Sequence, residues 1–135
     1  AEALWLTNLC DVLLDLGEAD EAAAWFPDLE AASEDSGFRL GLGALPRFRA
    51  RRWTLAGRPD LAEPLLAEAE DRYARDGYPT HALSARLERI EAWWNRGERD
   101  RAQAALIEAG STDDPVVGQE VARLRTLFAA ERQVW

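Results

Sequence analysis

The sequence predicts an all-α fold built from repeated helix-turn-helix units, and three observations support this prediction. Gly17, Gly57 and Gly97 recur at a spacing of forty residues. Each glycine follows a stretch in which apolar residues recur with the period of an α-helix. No segment shows the sustained alternation of apolar and polar residues that a half-buried strand requires. A fixed spacing of this size is typical of architectures in which similar helical units lie side by side.

The forty-residue spacing extends to other positions. Each glycine is followed by Asp three residues later and by Ala five residues later, which gives Asp20, Asp60, Asp100, Ala22, Ala62 and Ala102. A second set keeps the same spacing and consists of Gly37 with Gly77, Phe38 with Tyr78, and Trp53 with Trp93. The agreement of the first set, glycine, aspartate and alanine, in three copies indicates a true repeat.

Each repeated residue type has a physical role in such a unit. A glycine after an apolar helical stretch can adopt the left-handed conformation that ends a helix. We expect the Asp that follows to cap the next helix, because its carboxylate accepts hydrogen bonds from free N–H groups and its charge favours the positive end of the helix dipole. Asp60 and Glu63 have the spacing of a capping box. The small Ala allows the two helices of a unit to approach closely.

Seven helices are predicted, of which the first six form three pairs: about 2–16 with 20–35, 44–56 with 60–75, and 80–96 with 100–109. The seventh covers about 115–133, since Asp114 and Pro115 fit a cap and a first helical turn. Several helix-breaking residues interrupt the pattern, and a kink or a late helix start is expected at Pro27, at Pro64 and over Gly41, Gly43 and Pro46.

The whole chain, residues 1–135, is predicted to form one domain. With 135 residues, 47% of them hydrophobic, it can bury one core. The repeats cover about 1–36, 37–76 and 77–112, with a partial fourth unit over 113–135. Because the chain has no Met and opens directly on an apolar helical pattern, we expect it to be a piece of a longer polypeptide.

The net charge of -9 is unevenly distributed. Residues 1–36 contain ten acidic residues and no Arg, whereas the other 99 residues contain 16 Arg and 15 acidic residues. A nucleic-acid-binding domain normally presents a basic face, so this balance disfavours nucleic acid as a partner. The complete absence of Lys is typical of codon usage in a GC-rich bacterial genome.

The sequence predicts a cytoplasmic protein that binds no cofactor or metal. It contains neither an apolar run long enough to span a bilayer nor a charged-then-apolar leader. Cys10, the only cysteine, cannot form an internal disulfide, and its spacing from His81 is not that of a metal site.

The run Gly-Glu-Ala-Asp-Glu-Ala at 17–22 resembles the turn between the two helices of a tetratricopeptide repeat (TPR). The large residues nine positions after the glycines also fit that family, and they are Phe26, Leu66 and Leu106. The period is forty residues instead of about thirty-four. The aromatic residue that usually follows the glycine by two positions is replaced by Ala19, Pro59 and Arg99. Longer repeats of this kind resemble the helical regions of bacterial CHAT proteases and MalT- or SARP-type transcription regulators, which implies a sensor or docking role.

The resemblance also implies a concave surface formed by the first helix of each pair. The residues placed on it are Thr7, Asn8, Asp11, Asp15, Arg47, Phe48, Arg51, Thr54, Leu87, Glu88, Glu91, Trp94 and Asn95. The candidates for partner binding among them are Asp11, Asp15, Arg47, Arg51, Glu91, Trp94 and Asn95, with Trp94 as an exposed aromatic contact. Because Asp11, Arg51 and Glu91 share one register position, we expect them to align as an acid-base-acid ladder across neighbouring helices.

Other kinds of site receive little support from the residues. Cys10 and His81 are 71 positions apart on different repeats, so a catalytic pair is not expected and the chain is predicted not to be an enzyme. Gly41-Leu42-Gly43 lacks the preceding strand and the Lys of a phosphate-binding loop. Six Arg residues with interleaved aromatic residues between 39 and 58 would suit nucleic acid, but helical periodicity spreads them around the helix.

The function predicted from the sequence is that of a protein-interaction or docking module, which binds a partner segment or an adjacent domain on its concave or end face. The alternative is an intramolecular structural or sensor arm of a larger bacterial signalling protein. A third possibility, small-molecule sensing, predicts a closed apolar pocket instead of an open charged groove.

Overall fold

The computed structural model of the chain describes residues 2–109 and 112–133. Within these ranges it is all-helical, with eight α-helices and no strand, which confirms that the fold is all-α. The predicted domain limits at residues 1 and 135 lie outside the described residues. The helices are α1 (Glu2–Asp15), α2 (Ala19–Ala24), α3 (Phe26–Ser36), α4 (Arg39–Leu55), α5 (Pro59–Arg75), α6 (Pro79–Asn95), α7 (Arg99–Ala109) and α8 (Pro115–Gln133).

Contacts between helices follow the order of the chain. Each helix packs against the next one, and the most extensive contacts join α4 to α5 and α5 to α6. Four further contacts join helices that are not consecutive, since α1 also packs against α3 and α4, α2 against α4, and α6 against α8. None of the helices in the described ranges combines the length and the apolar character that a bilayer-spanning segment requires.

Five helices end in the same way, at glycines spaced by twenty residues. Their φ angles are all positive, with +79° at Gly17, +68° at Gly37, +74° at Gly57, +85° at Gly77 and +88° at Gly97. After each glycine, the next residue donates its N–H to a carbonyl five positions earlier, as Arg58 does to Trp53 at 2.9 Å. This is the Schellman motif. The predicted helix ends at Gly17, Gly57 and Gly97 are therefore confirmed.

The predicted role of the repeated Asp residues as caps is wrong. Helices α2, α5 and α7 begin one residue earlier than expected, so Asp20, Asp60 and Asp100 lie inside the first turn. Asp60 accepts a hydrogen bond from the Arg58 guanidinium at 2.9 Å, and Glu63 pairs with Arg89 of α6 at 2.8 Å instead of closing a capping box. The Asp charges still lie near the positive end of each helix dipole.

The third predicted helix begins earlier than expected. Its two glycines lie inside the helix, at positions where a neighbouring side chain leaves no room for a Cβ atom. Helix α4 starts at Arg39, and Gly41 and Gly43 lie within its first turns. A Cβ atom added at Gly41 would lie 2.3 Å from Ser33 Oγ, and one at Gly43 would lie 2.6 Å from the Tyr73 ring. These glycines therefore allow α4 to approach α3 and α5, and they do not delay the helix.

The second predicted helix, about 20–35, is divided in two at Trp25. This residue ends α2 and precedes α3, whose second residue is Pro27. Proline has no N–H to donate to the preceding turn, which explains the break. The final helix starts as predicted, because Asp114 caps α8 by accepting a hydrogen bond from the Val117 N–H at 2.9 Å.

Gly43 of α4 and Gly118 of α8, both inside helices, should respond oppositely to substitution. Gly43→Ala would place a methyl group against the buried ring of Tyr73, so we expect it to lower the free energy of unfolding by about 1 to 3 kcal/mol. Around Gly118 the nearest atom to an added Cβ is 3.9 Å away, so Gly118→Ala should raise the free energy of unfolding by about 0.5 to 1 kcal/mol. Denaturant titration measures both changes. A Gly43→Ala variant as stable as the parent would contradict the close approach of α4 and α5.

Candidate interaction groove

A groove runs along the sides of α1, α4 and α6 that face away from the core. It contains two adjoining cavities of about 290 and 250 Å³, and Arg51 lines both. The larger cavity is lined by residues of α1, α4, α5 and α6: Leu4, Thr7, Asn8, Asp11, Leu40, Ala44, Arg47, Phe48, Arg51, Tyr73 and His81. The smaller cavity is lined by Arg51, Thr54, Pro59, Leu66, Glu88, Glu91, Ala92, Asn95 and Glu120. Ten of the thirteen residues placed on the concave surface from the sequence line these cavities, all except Asp15, Leu87 and Trp94.

Arg51 links α4 to α1 at the junction of the two cavities. One nitrogen of its guanidinium donates a hydrogen bond to Asp11 at 2.7 Å, and the other bonds to Asp15. Both carboxylates are exposed, so this pairing contributes little to stability by itself. Its effect is to hold the Arg51 side chain in a fixed position across the groove.

Arg47 and Glu88 form a less exposed pair between α4 and α6. Arg47 donates to the same Glu88 oxygen through Nε at 3.0 Å and Nη2 at 2.6 Å, and Nη2 also donates to Ser84 at 2.7 Å. Burial acts to lower the pKa of Arg47, but the charge and hydrogen bond of Glu88 raise that pKa above its usual value. The other oxygen of Glu88 is buried and has no hydrogen-bond partner among the described residues.

The expected ladder of Asp11, Arg51 and Glu91 forms only in part. Asp11 and Arg51 pair, but Glu91 pairs with Arg123 of α8 at 2.6 Å. Arg123 also contacts Glu120, and the hydrogen bonds to Glu120 and Glu91 raise the pKa of Arg123 above its usual value. The reason is that α8 packs beside α6 and supplies a cation to this end of the groove.

The expectation that Trp94 is an exposed contact is wrong. Trp94 is only 2% exposed, and its ring stacks on Phe128 of α8 with centroids 3.9 Å apart. Its indole N–H donates to Glu131, and the Arg99 guanidinium lies 4.7 Å from its ring centre. Trp94 therefore belongs to the core between α6 and α8. Its neighbour Asn95 is exposed and lines the smaller cavity.

Two groove residues, Tyr73 and His81, were not among the sequence candidates. Their rings lie 5.3 Å apart at the larger cavity. Burial raises the pKa of Tyr73, although the nearby Arg47 opposes this, and burial together with Arg47 lowers the pKa of His81 against the opposing charge of Asp114. The forty-residue register aligns Tyr73 with Ser33 and His81 with Gly41. Because the equivalent residues of the preceding unit are small and not aromatic, the register gave no signal for this pair of rings.

The Arg-rich segment between residues 39 and 58 is extensively ion-paired. Each of its six arginines has a carboxylate within 4 Å; the pairs are Arg39 with Asp76, Arg47 with Glu88, Arg49 with Glu30, Arg51 with Asp11 and Asp15, Arg52 with Asp20, and Arg58 with Asp60. A phosphate backbone would have to compete with these carboxylates for the guanidinium groups.

Cys10 and the acidic residues form no evident reactive or metal-binding site. The Cys10 thiol is fully buried, and burial, with a smaller effect of Asp11, raises its pKa to about 11. Such a thiol is a poor nucleophile at neutral pH. In the part of the chain that the structure describes, no three His, Cys, Asp or Glu side chains are grouped as metal ligands.

In comparisons with known proteins, no family model, curated protein or solved structure matches the chain.

Proposed function

We propose that the chain is a TPR-like solenoid of three helix-turn-helix repeats closed by α8, and that it binds a segment of a partner protein in the groove along α1, α4 and α6. The repeats correspond to α1 with α2 and α3, α4 with α5, and α6 with α7. The five identical helix ends and the contacts between consecutive helices support this architecture. A cytoplasmic setting in a bacterial cell is part of the same proposal.

The observation that carries the proposal is the pair of adjoining cavities across three helices. A groove shared by successive helices offers an extended binding surface, as concave faces of repeat proteins do. It has polar walls and an apolar floor, to which Phe48 and Leu66 contribute. A mixed surface of this kind favours a peptide, which presents backbone polar groups and side chains together, over a small apolar ligand.

The groove also contains exposed, uncharged polar side chains that can form hydrogen bonds with a peptide backbone. Asn8, Thr54 and Asn95 are exposed and line its two cavities. Each can contact a backbone amide or carbonyl without breaking an existing salt bridge. We propose that these three residues, with Arg47, Arg51 and Glu91 positioned beside them, form the binding surface.

Filling the groove should abolish binding without affecting the fold. Short random peptides displayed on phage would be selected against the parent chain and then measured against a Thr54→Trp/Asn95→Trp variant. Because both replaced residues are exposed cavity-lining residues, we expect the selected peptides to bind this variant at least about tenfold more weakly, with unchanged unfolding midpoints.

A matched control places the same two tryptophans elsewhere. Gln119 and Thr126 of α8 are exposed and line neither cavity, so Gln119→Trp/Thr126→Trp should bind the selected peptides as the parent does. Peptides that bind both Trp variants equally well, or a selection that enriches none, would contradict binding in the groove.

One observation favours the alternative of an intramolecular arm in a larger signalling protein, such as a CHAT-type protease or a nucleotide-switched regulator. The charged groups of the groove pair mainly with one another, as Arg51 does with Asp11 and Arg123 with Glu91. Pairs of this kind can connect helices in a rigid arm without any partner. In that case the peptide selection enriches nothing specific to the groove.

A further inference from the structure

Helix α1 has an apolar stripe that borders the face it buries in the core and shares Leu9 with it. The stripe consists of Trp5, Leu9, Val12 and Leu16, which fall within an arc of about 60° when successive residues are about 100° apart. Trp5 is 58% exposed, Val12 54% and Leu16 69%, and Leu9 is half-buried. We call this surface the α1 end face. A continuous exposed apolar surface of this kind is typical of an interaction site.

The forty-residue register shows what covers the equivalent positions elsewhere in the fold. Trp5 aligns with Leu45 and Ala85, and Val12 aligns with Arg52 and Ala92, whereas Leu9 and Leu16 align with arginines or with an exposed alanine. Leu45, Ala85 and Ala92 are 2%, 0% and 5% exposed. Leu45 packs against the core residues of α1 and α3, whereas Ala85 and Ala92 pack against buried residues of the α4–α5 pair. At the position of Trp5, and in α6 also at that of Val12, the fold thus uses an apolar residue to receive a preceding pair of helices.

Trp5 is held in place on the end face. Its ring contacts Trp25 edge to face, with centroids 6.2 Å apart. A tryptophan whose orientation is fixed before binding loses little conformational freedom on association. Residues of this type contribute a large share of the binding energy at protein interfaces.

The segment that forms α1, α2 and α3, and so includes the end face, is acidic. Among the ten acidic residues of the first 36, six are exposed and form no ion pair with any residue in the described ranges: Glu2, Glu18, Glu21, Asp28, Glu34 and Asp35. A second copy docked here through the same face would bring two such acidic regions together, which is unfavourable. A partner with basic residues beside its apolar contact surface is favoured instead.

The opposite end of the molecule differs. The solvent side of α8 carries polar residues, including Gln119, Arg123, Arg125 and Thr126. Val116 and Ile107 are exposed apolar residues near this end, but they lie on different helices and do not form a stripe. A polar outer helix is typical of a terminal cap in repeat proteins. The two ends of the molecule are therefore unequal, and among the side chains that the structure describes at these ends, those of α1 form a continuous apolar stripe and those of α8 do not.

We infer that the α1 end face docks an amphipathic helix of a partner protein, whose apolar stripe is flanked by Arg or Lys. The apolar stripe would pack on Trp5, Val12 and Leu16, and the basic residues would pair with the surrounding carboxylates. This surface is different from the groove, so either interaction can fail while the other holds.

Two synthetic helical peptides with the same Leu stripe test this inference, one flanked by Arg and the other by Glu. In titrations with the whole chain, we expect the Arg peptide to bind at least about tenfold more tightly than the Glu peptide. The Trp5→Ala/Leu16→Ala variant should bind the Arg peptide at least about tenfold more weakly than the parent. Ile107→Ala/Val116→Ala removes comparably exposed apolar groups elsewhere, and it should bind as the parent does.

Three results would overturn the inference. The first is equal binding of both peptides by the parent. The second is unchanged binding of the Arg peptide by the Trp5→Ala/Leu16→Ala variant, because a merely acidic surface would behave in that way. The third is self-association of the parent in analytical ultracentrifugation that this variant abolishes, since the end face would then bind a second copy. The groove variants do not alter these residues, so failure here leaves the peptide selection unaffected.

Discussion

Replacing Trp94 by Ala is expected to lower the free energy of unfolding by about 3 to 5 kcal/mol. The indole is 2% exposed and stacks on Phe128, so its removal leaves a cavity between α6 and α8. It also leaves Glu131 without the indole donor and Arg99 without the ring that it covers. Denaturant unfolding followed by circular dichroism measures the change. A loss of this size is comparable to the total stability of many single domains.

Two further variants keep this prediction testable if Trp94→Ala does not fold. Trp94→Phe retains a ring beside Phe128 but loses the hydrogen bond to Glu131, and we expect a smaller loss of about 1 to 2 kcal/mol. Trp5→Ala removes an equally large but exposed side chain, and the expected loss is below about 1 kcal/mol. Equal effects of Trp94→Ala and Trp5→Ala would show that Trp94 is exposed in solution, as the sequence suggested.

Helices and their ends could be predicted from the sequence where local chemistry determines them. The glycines at 17, 57 and 97 adopt positive φ, which few other residues tolerate, so their spacing locates the ends of α1, α4 and α6. Asp114 likewise starts α8, because its carboxylate accepts a hydrogen bond from the Val117 N–H, three residues later in the first turn of the helix. At these positions the physical requirement lies within a few residues of the chain.

Predictions were wrong where distant contacts determine the structure. Gly41 and Gly43 suggested a late start of α4, but they are required by the close approach of Ser33 and Tyr73. The repeated Asp residues suggested caps, but Arg58 and Pro59 already begin α5 in front of Asp60. Residue type alone does not show where another helix approaches, or which of several neighbouring residues begins a helix.

The sequence predicted which residues line the candidate groove better than it predicted the contacts that these residues make. The inward-facing positions implied by the TPR resemblance include ten residues that line the two cavities, because equivalent positions of successive helices face the same side. Trp94 was misplaced because α8 covers that side of α6, and the glycine, aspartate and alanine that mark the first three units do not recur in α8. For the same reason Glu91 pairs with Arg123 and not with Arg51. The register of the first three units did not show which side of α6 the last helix would cover.

Removing the Glu88 carboxylate should cost about 2 to 3 kcal/mol of unfolding free energy, because it leaves the Arg47 guanidinium mostly buried without its counter-charge. This cost is smaller than the cost of breaking a fully buried ion pair, because water still reaches part of both side chains. Glu88→Ala measured by denaturant unfolding tests it. The exposed pair of Asp71 and Arg75 is the control, and Asp71→Ala should cost less than about 1 kcal/mol. Equal costs at the two sites would contradict the partial burial of Arg47.

Replacing both members of the pair separates its structural and functional contributions. An Arg47→Leu/Glu88→Leu variant removes both charges together, so no unpaired charge remains and most of the lost stability should return. If this variant is as stable as the parent but binds the selected peptides about tenfold more weakly, the charges contribute to recognition and are not needed for folding. If it binds the peptides as the parent does, Arg47 only joins α4 to α6, and Arg51 with the exposed residues Asn8, Thr54 and Asn95 accounts for recognition in the groove.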